Sequence, residues 1–115
     1  MQRRAPRLFL EDIRGAIARI SDYASAGEEE FKNSELLQDA VLRQLLIVGE
    51  AVQQLPDDLL DRVPAIPWER VVGMRNRIVH GYHKINMDVV WDTVQRDLPT
   101  LVVAVKRLLE DPDLE

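Results

Sequence analysis

The chain has 115 residues, 46% of them hydrophobic, a formal net charge of −5 and no cysteine. That length suits one compact domain spanning residues 1–115 with a modest core, and the missing thiols exclude disulfides, thiolate zinc sites, iron–sulfur clusters and a cysteine nucleophile. An acidic total argues against a protein that coats nucleic acid with its whole surface, so any contact with a polyanion must be local.

The start, Met1 to Arg7, is basic and lacks the apolar core of a secretion signal, and no apolar run nears the roughly 20 residues a membrane span needs. With the cysteine-free composition this predicts a cytoplasmic protein with no membrane partner. The first helix is expected over 8–26, where Leu10, Ile13, Ile17, Ile20 and Ala24 repeat every three or four residues and Glu11, Asp12, Arg14 and Arg19 stay wet. Gly27 is a natural stop, Glu28 to Glu30 favour a short helical turn, and Phe31 anchors the connection.

Asn33 or Ser34 can cap a long second helix, whose positions Leu37, Val41, Leu45, Val48, Val52 and Leu55 form a stripe of five turns. Leu36, Ala40, Ile47 and Ala51 add a second apolar flank, so this helix is expected at the centre with neighbours on more than one side. Gly49 costs a helix about 1 kcal/mol relative to alanine, which a close approach by a neighbouring backbone would explain. Glu50 is either a partly buried carboxylate paired with an arginine or, as is more common for such a residue, one at the edge of the surface. Pro56 ends this helix, residues 57–62 make one amphipathic turn, and Pro64 and Pro67 punctuate the chain again.

Pro67 suits the first turn of a third helix over 67–80, on which Trp68, Val71, Val72, Arg75 and Val79 share a broad face and which Gly81 ends. Asn86 can cap a fourth helix carrying Val90, Val94, Leu98, Leu101, Val102, Val105 and Leu109, kinked at Pro99. Asp111 to Glu115 reads as a frayed acidic tail. Without strand-like alternation or an internal repeat, the fold class is all-α, a bundle of four principal helices plus one or two short ones.

Charge is unevenly spread. Residues 28–61 carry many acids against Lys32 and Arg43, whereas 69–84 carry Arg70, Arg75, Arg77 and Lys84 against Glu69 alone, together with both histidines, His80 and His83. This basic interval contains the run Arg75, Asn76, Arg77, Ile78, Val79, His80, Gly81, Tyr82. Histidine can carry a proton near neutral pH and arginine can hold a phosphate with a bidentate fork, which is a minimum for phosphodiester chemistry without a metal. RNA cleavage of that kind needs a base for the 2′-hydroxyl, an acid for the leaving oxygen and positive charge for the crowded phosphorane. His80 can serve as base or acid, Arg75 can hold the phosphate, and Asn76 can orient His80 or donate to the phosphate. Arg70, Arg77, His83 and Lys84 add positive potential for RNA. Two histidines three residues apart with no third ligand nearby make no metal site, and no cofactor is implied.

At about 100° per residue, Arg75 and His80 point roughly 140° apart on one helix, while Asn76 and His80 lie about 40° apart. A joint site therefore requires the helix to unwind near Gly81 or a second copy to complete it.

The arginine, four-residue gap and histidine of Arg75 and His80, the polar Asn76, and Tyr82 two residues after the histidine resemble the HEPN family. The likeness is to the HEPN toxins, HepT-like, paired with minimal nucleotidyltransferase antitoxins. Asp39-Ala40-Val41-Leu42-Arg43, Ile47-Val48-Gly49-Glu50-Ala51, Ile66-Pro67-Trp68 and Val90-Trp91 extend the resemblance over nearly the full chain. It implies an antiparallel helical-bundle homodimer whose interface forms a metal-independent endoribonuclease site from Arg75 and His80 of both subunits, acting on tRNA or mRNA. It also implies an antitoxin that neutralises the toxin by transferring AMP from ATP to Tyr82, which would place negative charge and bulk where RNA binds. The alternative is a non-catalytic helical module that binds a nucleotidyltransferase or a nucleotide.

Overall fold

The computed structural model describes residues 4–81 and 84–114. Its elements in chain order are α1 (Pro6–Ala24), α2 (Glu28–Asn33), α3 (Glu35–Gln53), α4 (Asp57–Leu60), α5 (Trp68–Gly81), α6 (Met87–Asp92), a π-helical turn (Thr93–Asp97) and α7 (Leu98–Glu110). The last three run on without a break, so the architecture is the expected all-α bundle with four long helical segments and two short ones. No strand occurs among the described residues, and no helix among them is long and apolar enough to cross a membrane.

The first helix begins at Pro6, two residues before its apolar stripe suggested, because proline at the first helical position gives up an N–H that would have had no partner. Leu10, Ile13, Ala16, Ile17 and Ile20 are buried on one side of it. Gly27 then turns the chain with φ 96°, a left-handed conformation that glycine adopts without a Cβ penalty. Of the two candidate caps for α3, Ser34 is the one used: its Oγ accepts the Leu37 N–H at 3.1 Å, an interaction worth about 1 kcal/mol. Phe31 is fully buried and stacks at 5.3 Å, ring centre to ring centre, on Trp91 of α6.

Helix α3 lies centrally, with α1 on one side and α5 on another, and α1 in turn packs on α7. Val41, Leu42, Leu45, Val48, Ala51 and Val52 are buried on it, but of the second flank expected from Leu36, Ala40, Ile47 and Ala51 only Ala51 is buried, Ala40 and Ile47 are half-buried, and Leu36 is 79% exposed. Arg7 Nη2 donates to the Leu109 carbonyl at 3.3 Å, joining the start of α1 to the end of α7.

Toward the C-terminus the structure adds two details to what the spacing predicts. Around Pro99 the helix answers the missing N–H by widening: Leu98 N–H reaches back to the Thr93 carbonyl, and Thr93 Oγ1 donates to the Val89 carbonyl at 2.9 Å. The acidic tail is also better held than a frayed end. Arg62 Nη1 donates to Asp111 Oδ2 at 2.6 Å, and Leu114 packs against the core.

Helix α5 is attached mainly at its base and along α3. The Trp68 indole N–H is shared between the Leu60 carbonyl at 3.1 Å and the Val63 carbonyl at 3.2 Å. Only Met74 and Ile78 of this helix are buried. Of the face expected from Trp68, Val71, Val72, Arg75 and Val79, the first three pack half-buried against the core and Arg75 lies against Gly49, whereas Val79 is 46% exposed.

Candidate functional site

Arg75 is placed by a glycine on the neighbouring helix. A Cβ built on Gly49 would overlap Arg75 Cβ, lie 2.9 Å from its Cγ and lie 3.3 Å from the Val71 carbonyl oxygen. The close neighbour expected for Gly49 is thus chiefly a side chain, with the α5 backbone behind it. Ordinary carbon contacts sit near 3.5–4.0 Å, so only glycine lets α5 lie this close to α3 with arginine at position 75.

The guanidinium is then shared out. Its Nη1 donates to Asn76 Oδ1 at 3.0 Å, its Nη2 lies 3.8 Å from Glu50 Oε1, and its Nε is buried with no hydrogen-bond partner among the described residues. Glu50 combines the two readings open to it: it has an arginine partner, and at 54% exposed its side chain lies at the surface. A pair this long and this wet contributes at most about 1 kcal/mol. Arg75 opens on a groove of about 310 Å³ also lined by Arg4, Phe9, Asp12, Glu50 and Gln54. Arg4 spans it, donating to Asp12 Oδ2 at 2.7 Å with its guanidinium 4.7 Å above the Phe9 ring.

His80 is exposed on the last turn of α5 and opens on a different cavity. This one, of about 520 Å³, is lined by Asn76, Arg77, His80, Gly81, Lys84, Ile85 and Asn86. The helix stays intact through Gly81, so unwinding before that residue does not bring Arg75 to His80. Within one protomer the two residues face separate cavities, and Asn76 touches both, through its bond to Arg75 and as a wall of the His80 cavity.

A third cavity of about 320 Å³ lies between α3, α5 and the π turn, with an apolar floor including Leu45, Val48, Met74 and Leu101. Arg70 and Arg77 stand at its rim, and Arg70 Nη2 donates to Asp97 Oδ2 at 3.1 Å. Part of the charge of Arg70 is therefore neutralised, whereas Arg77 borders both this cavity and that of His80. Lys84 is exposed at the His80 cavity. Tyr82 and His83 lie outside the described residues. No group of three His, Asp or Glu among the described residues is arranged to hold a metal ion.

Sequence reasoning gave Asn86 a capping role alone and gave Arg4 none. Asn86 does cap, its Oδ1 accepting the Asp88 N–H at 2.8 Å, but it also walls the His80 cavity. The signal was its distance of six residues from His80 across a short connection.

A family model described as Ribonuclease HepT-like matches residues 13–108. The "Probable ribonuclease HepT" of Thermococcus cleftensis is 36% identical over 100 residues, covering 86% of this chain and 91% of that protein. A "Putative RNase" of Caldanaerobacter subterraneus is 32% identical over 108 residues, covering 93% and 96%. Another so named, from Methanocaldococcus jannaschii, is 31% identical over 112 residues, covering 96% and 93%. No solved structure matches the chain.

Proposed function

The chain belongs to the Ribonuclease HepT-like family, and we propose that it is the toxin of a toxin–antitoxin pair, a metal-independent endoribonuclease whose site is completed at a homodimer interface. The observation that carries this reading is the separation of Arg75 and His80 into two cavities of one protomer on an unbroken helix. Residues able to do the chemistry are present but diverge, and a two-fold axis beside α5 would let the arginine of one copy meet the histidine of the other. Apolar surface on the outer side of α5 and on α6, where Val79 is 46% and Val89 39% exposed, is the kind of face such a contact would cover.

In the proposed reaction His80 of one copy takes the 2′-hydroxyl proton as that oxygen attacks phosphorus. The bond from phosphorus to the 5′-oxygen breaks, that oxygen takes a proton from the other copy's histidine, and the products are a 2′,3′-cyclic phosphate and a 5′-hydroxyl end. Arg75 stabilises the charge on the phosphorane oxygens through its two-pronged donor set. Asn76, bonded to Arg75, keeps the guanidinium oriented. A single tRNA or mRNA strand is the substrate class.

Control is proposed at Tyr82. A nucleotidyltransferase antitoxin would join the tyrosine oxygen to the α-phosphorus of ATP and release pyrophosphate, leaving AMP on the toxin two residues from His80. The added phosphodiester is negative and would repel RNA from the interval of Arg77 and Lys84.

Mixing the unaltered chain with an inactive variant tests the dimeric site. Unaltered chain unfolded and refolded with an excess of His80→Ala should lose metal-free cleavage of RNA, read in the presence of EDTA, well beyond simple dilution, because every mixed dimer lacks one of the two histidines. Cleavage per unaltered subunit that stays constant, from copies that do exchange, would reject a site shared between subunits. Incubation with ATP and the cognate nucleotidyltransferase should add AMP-sized mass, and the same gain on Tyr82→Phe would remove Tyr82 as the acceptor.

A further inference from the structure

We propose that the His80 cavity is a phosphate subsite in which Asn86, together with Asn76, Arg77 and Lys84, turns hydrogen-bond donors to a backbone phosphate of the RNA. The inference rests on the ribonuclease reading for the source of that phosphate, and on the cavity itself for its chemistry.

The argument turns on which end of each amide is free. Asn side chains offer one acceptor oxygen and two donor hydrogens, and either end can face a ligand. Here the choice is made by partners that can only donate. A guanidinium has no acceptor, so the Asn76 end 3.0 Å from Arg75 Nη1 is its oxygen. A backbone N–H likewise only donates, so the Asn86 end 2.8 Å from the Asp88 nitrogen is its oxygen. With both oxygens committed, what each amide retains for a ligand is its NH2 group.

The remaining polar side chains of the cavity are Arg77, Lys84 and His80, and no carboxylate is among its described lining residues. Arg and Lys donate without accepting. Three other cavities with an arginine on their walls differ: that of Arg75 contains Asp12 and Glu50, that of Arg70 contains Glu69 and Asp97, and that of Arg14 contains Glu11. A base edge presents mixed donors and acceptors and would leave its own donors unpaired in such a site. A phosphate, with acceptors only, matches Asn76, Arg77, Lys84 and Asn86 together and leaves His80 for the proton transfers. The subsite should therefore position RNA without reading its sequence.

Asn86 permits a clean test because aspartate caps a helix about as well as asparagine. Asn86→Asp should keep the melting temperature while exchanging the free NH2 for an acceptor and adding negative charge. Its affinity for a 2′-O-methylated, uncleavable RNA should fall about tenfold or more, and that of Asn86→Ser, which also caps, by a few-fold. The loss should be the same for oligo-U and oligo-A. Lys84→Gln should lower the slope of log affinity against log salt by about 0.7. Binding of Asn86→Asp as tight as that of the unaltered chain, or a loss confined to one base, would overturn the proposal.

If the unaltered chain binds no RNA, the ribonuclease reading fails on its own. The subsite is then judged by titrating inorganic phosphate and following the backbone amide NMR signals of Asn76, Arg77, Lys84 and position 86, which both chains possess. Shifts that saturate in the unaltered chain and vanish in Asn86→Asp sustain it, and their absence from the unaltered chain rejects it.

Discussion

The α1–α3 pair and the α5 end of the bundle are built from different materials. Along α1 and α3 nearly every third or fourth residue is a buried aliphatic, and Leu10, Ile13, Ile20 and Val41 have no exposed surface. Along α5 only Met74 and Ile78 are buried, while Asn76, Arg77, Val79 and His80 are exposed. The first region secures the fold, and the second spends little of its surface on stability, leaving its polar groups free for a ligand. Gly49 is where they meet, because the central helix carries the space into which Arg75 fits.

Substitutions on either side should separate these contributions. His80→Ala should reduce RNA cleavage by about 10²–10⁴-fold and leave the thermal midpoint unchanged, since the side chain is exposed. A comparable drop in midpoint would break the division. Ile13→Ala should do the converse, lowering unfolding free energy by about 2–5 kcal/mol in a denaturant titration while the folded fraction cleaves normally. Gly49→Ala should affect both. Alanine gains about 1 kcal/mol of helix propensity, but its Cβ would overlap Arg75, and overpacking costs about 1–3 kcal/mol. Net destabilisation with weaker cleavage is expected, and unchanged values of both would show that α5 moves freely on α3.

The smallest effect belongs to Lys32 on α2. Its pKa is raised above the ordinary 10.5 by its hydrogen bond to Asp88 first and to Glu28, 2.8 Å away, second. A raised folded-state pKa contributes stability that is fully present below the unfolded value and is lost as pH rises through the folded one. Melting curves of Lys32→Gln should therefore lie slightly below those of the unaltered chain at neutral pH and converge with them in strongly alkaline buffer. Because the lysine is solvent-exposed, a large gap at neutral pH would contradict this account.

Helix positions were legible in the sequence because an amphipathic period, a serine cap and prolines each leave a local mark. Ser34, Gly27 and Pro56 stand where such marks put them. The full burial of Met74 and Ile78 and the exposure of Val79 were not legible, since these side chains are alike in polarity and only the packing partner decides which is covered. Nor could spacing show that the turn before Pro99 would be π-helical. At the site, periodicity along α5 correctly separated Arg75 from His80. Gly49 and Glu50, which Arg75 meets, lie on α3, and Asn86 of the His80 cavity lies beyond α5, so both contacts depend on tertiary placement.

The two tryptophans fall one to each end of this division. Trp68 is tied by its indole N–H to the carbonyls at the foot of α5, and Trp91 lies against Phe31, where α2 meets α6. The molecule thus carries two native fluorophores with separate duties. In a Trp91→Phe variant the emission colour follows the hydration of the α5 base, and in a Trp68→Phe variant it follows the α2–α6 contact. Loosening of the helix that bears Arg75 and His80 can then be watched optically, apart from melting of the remainder.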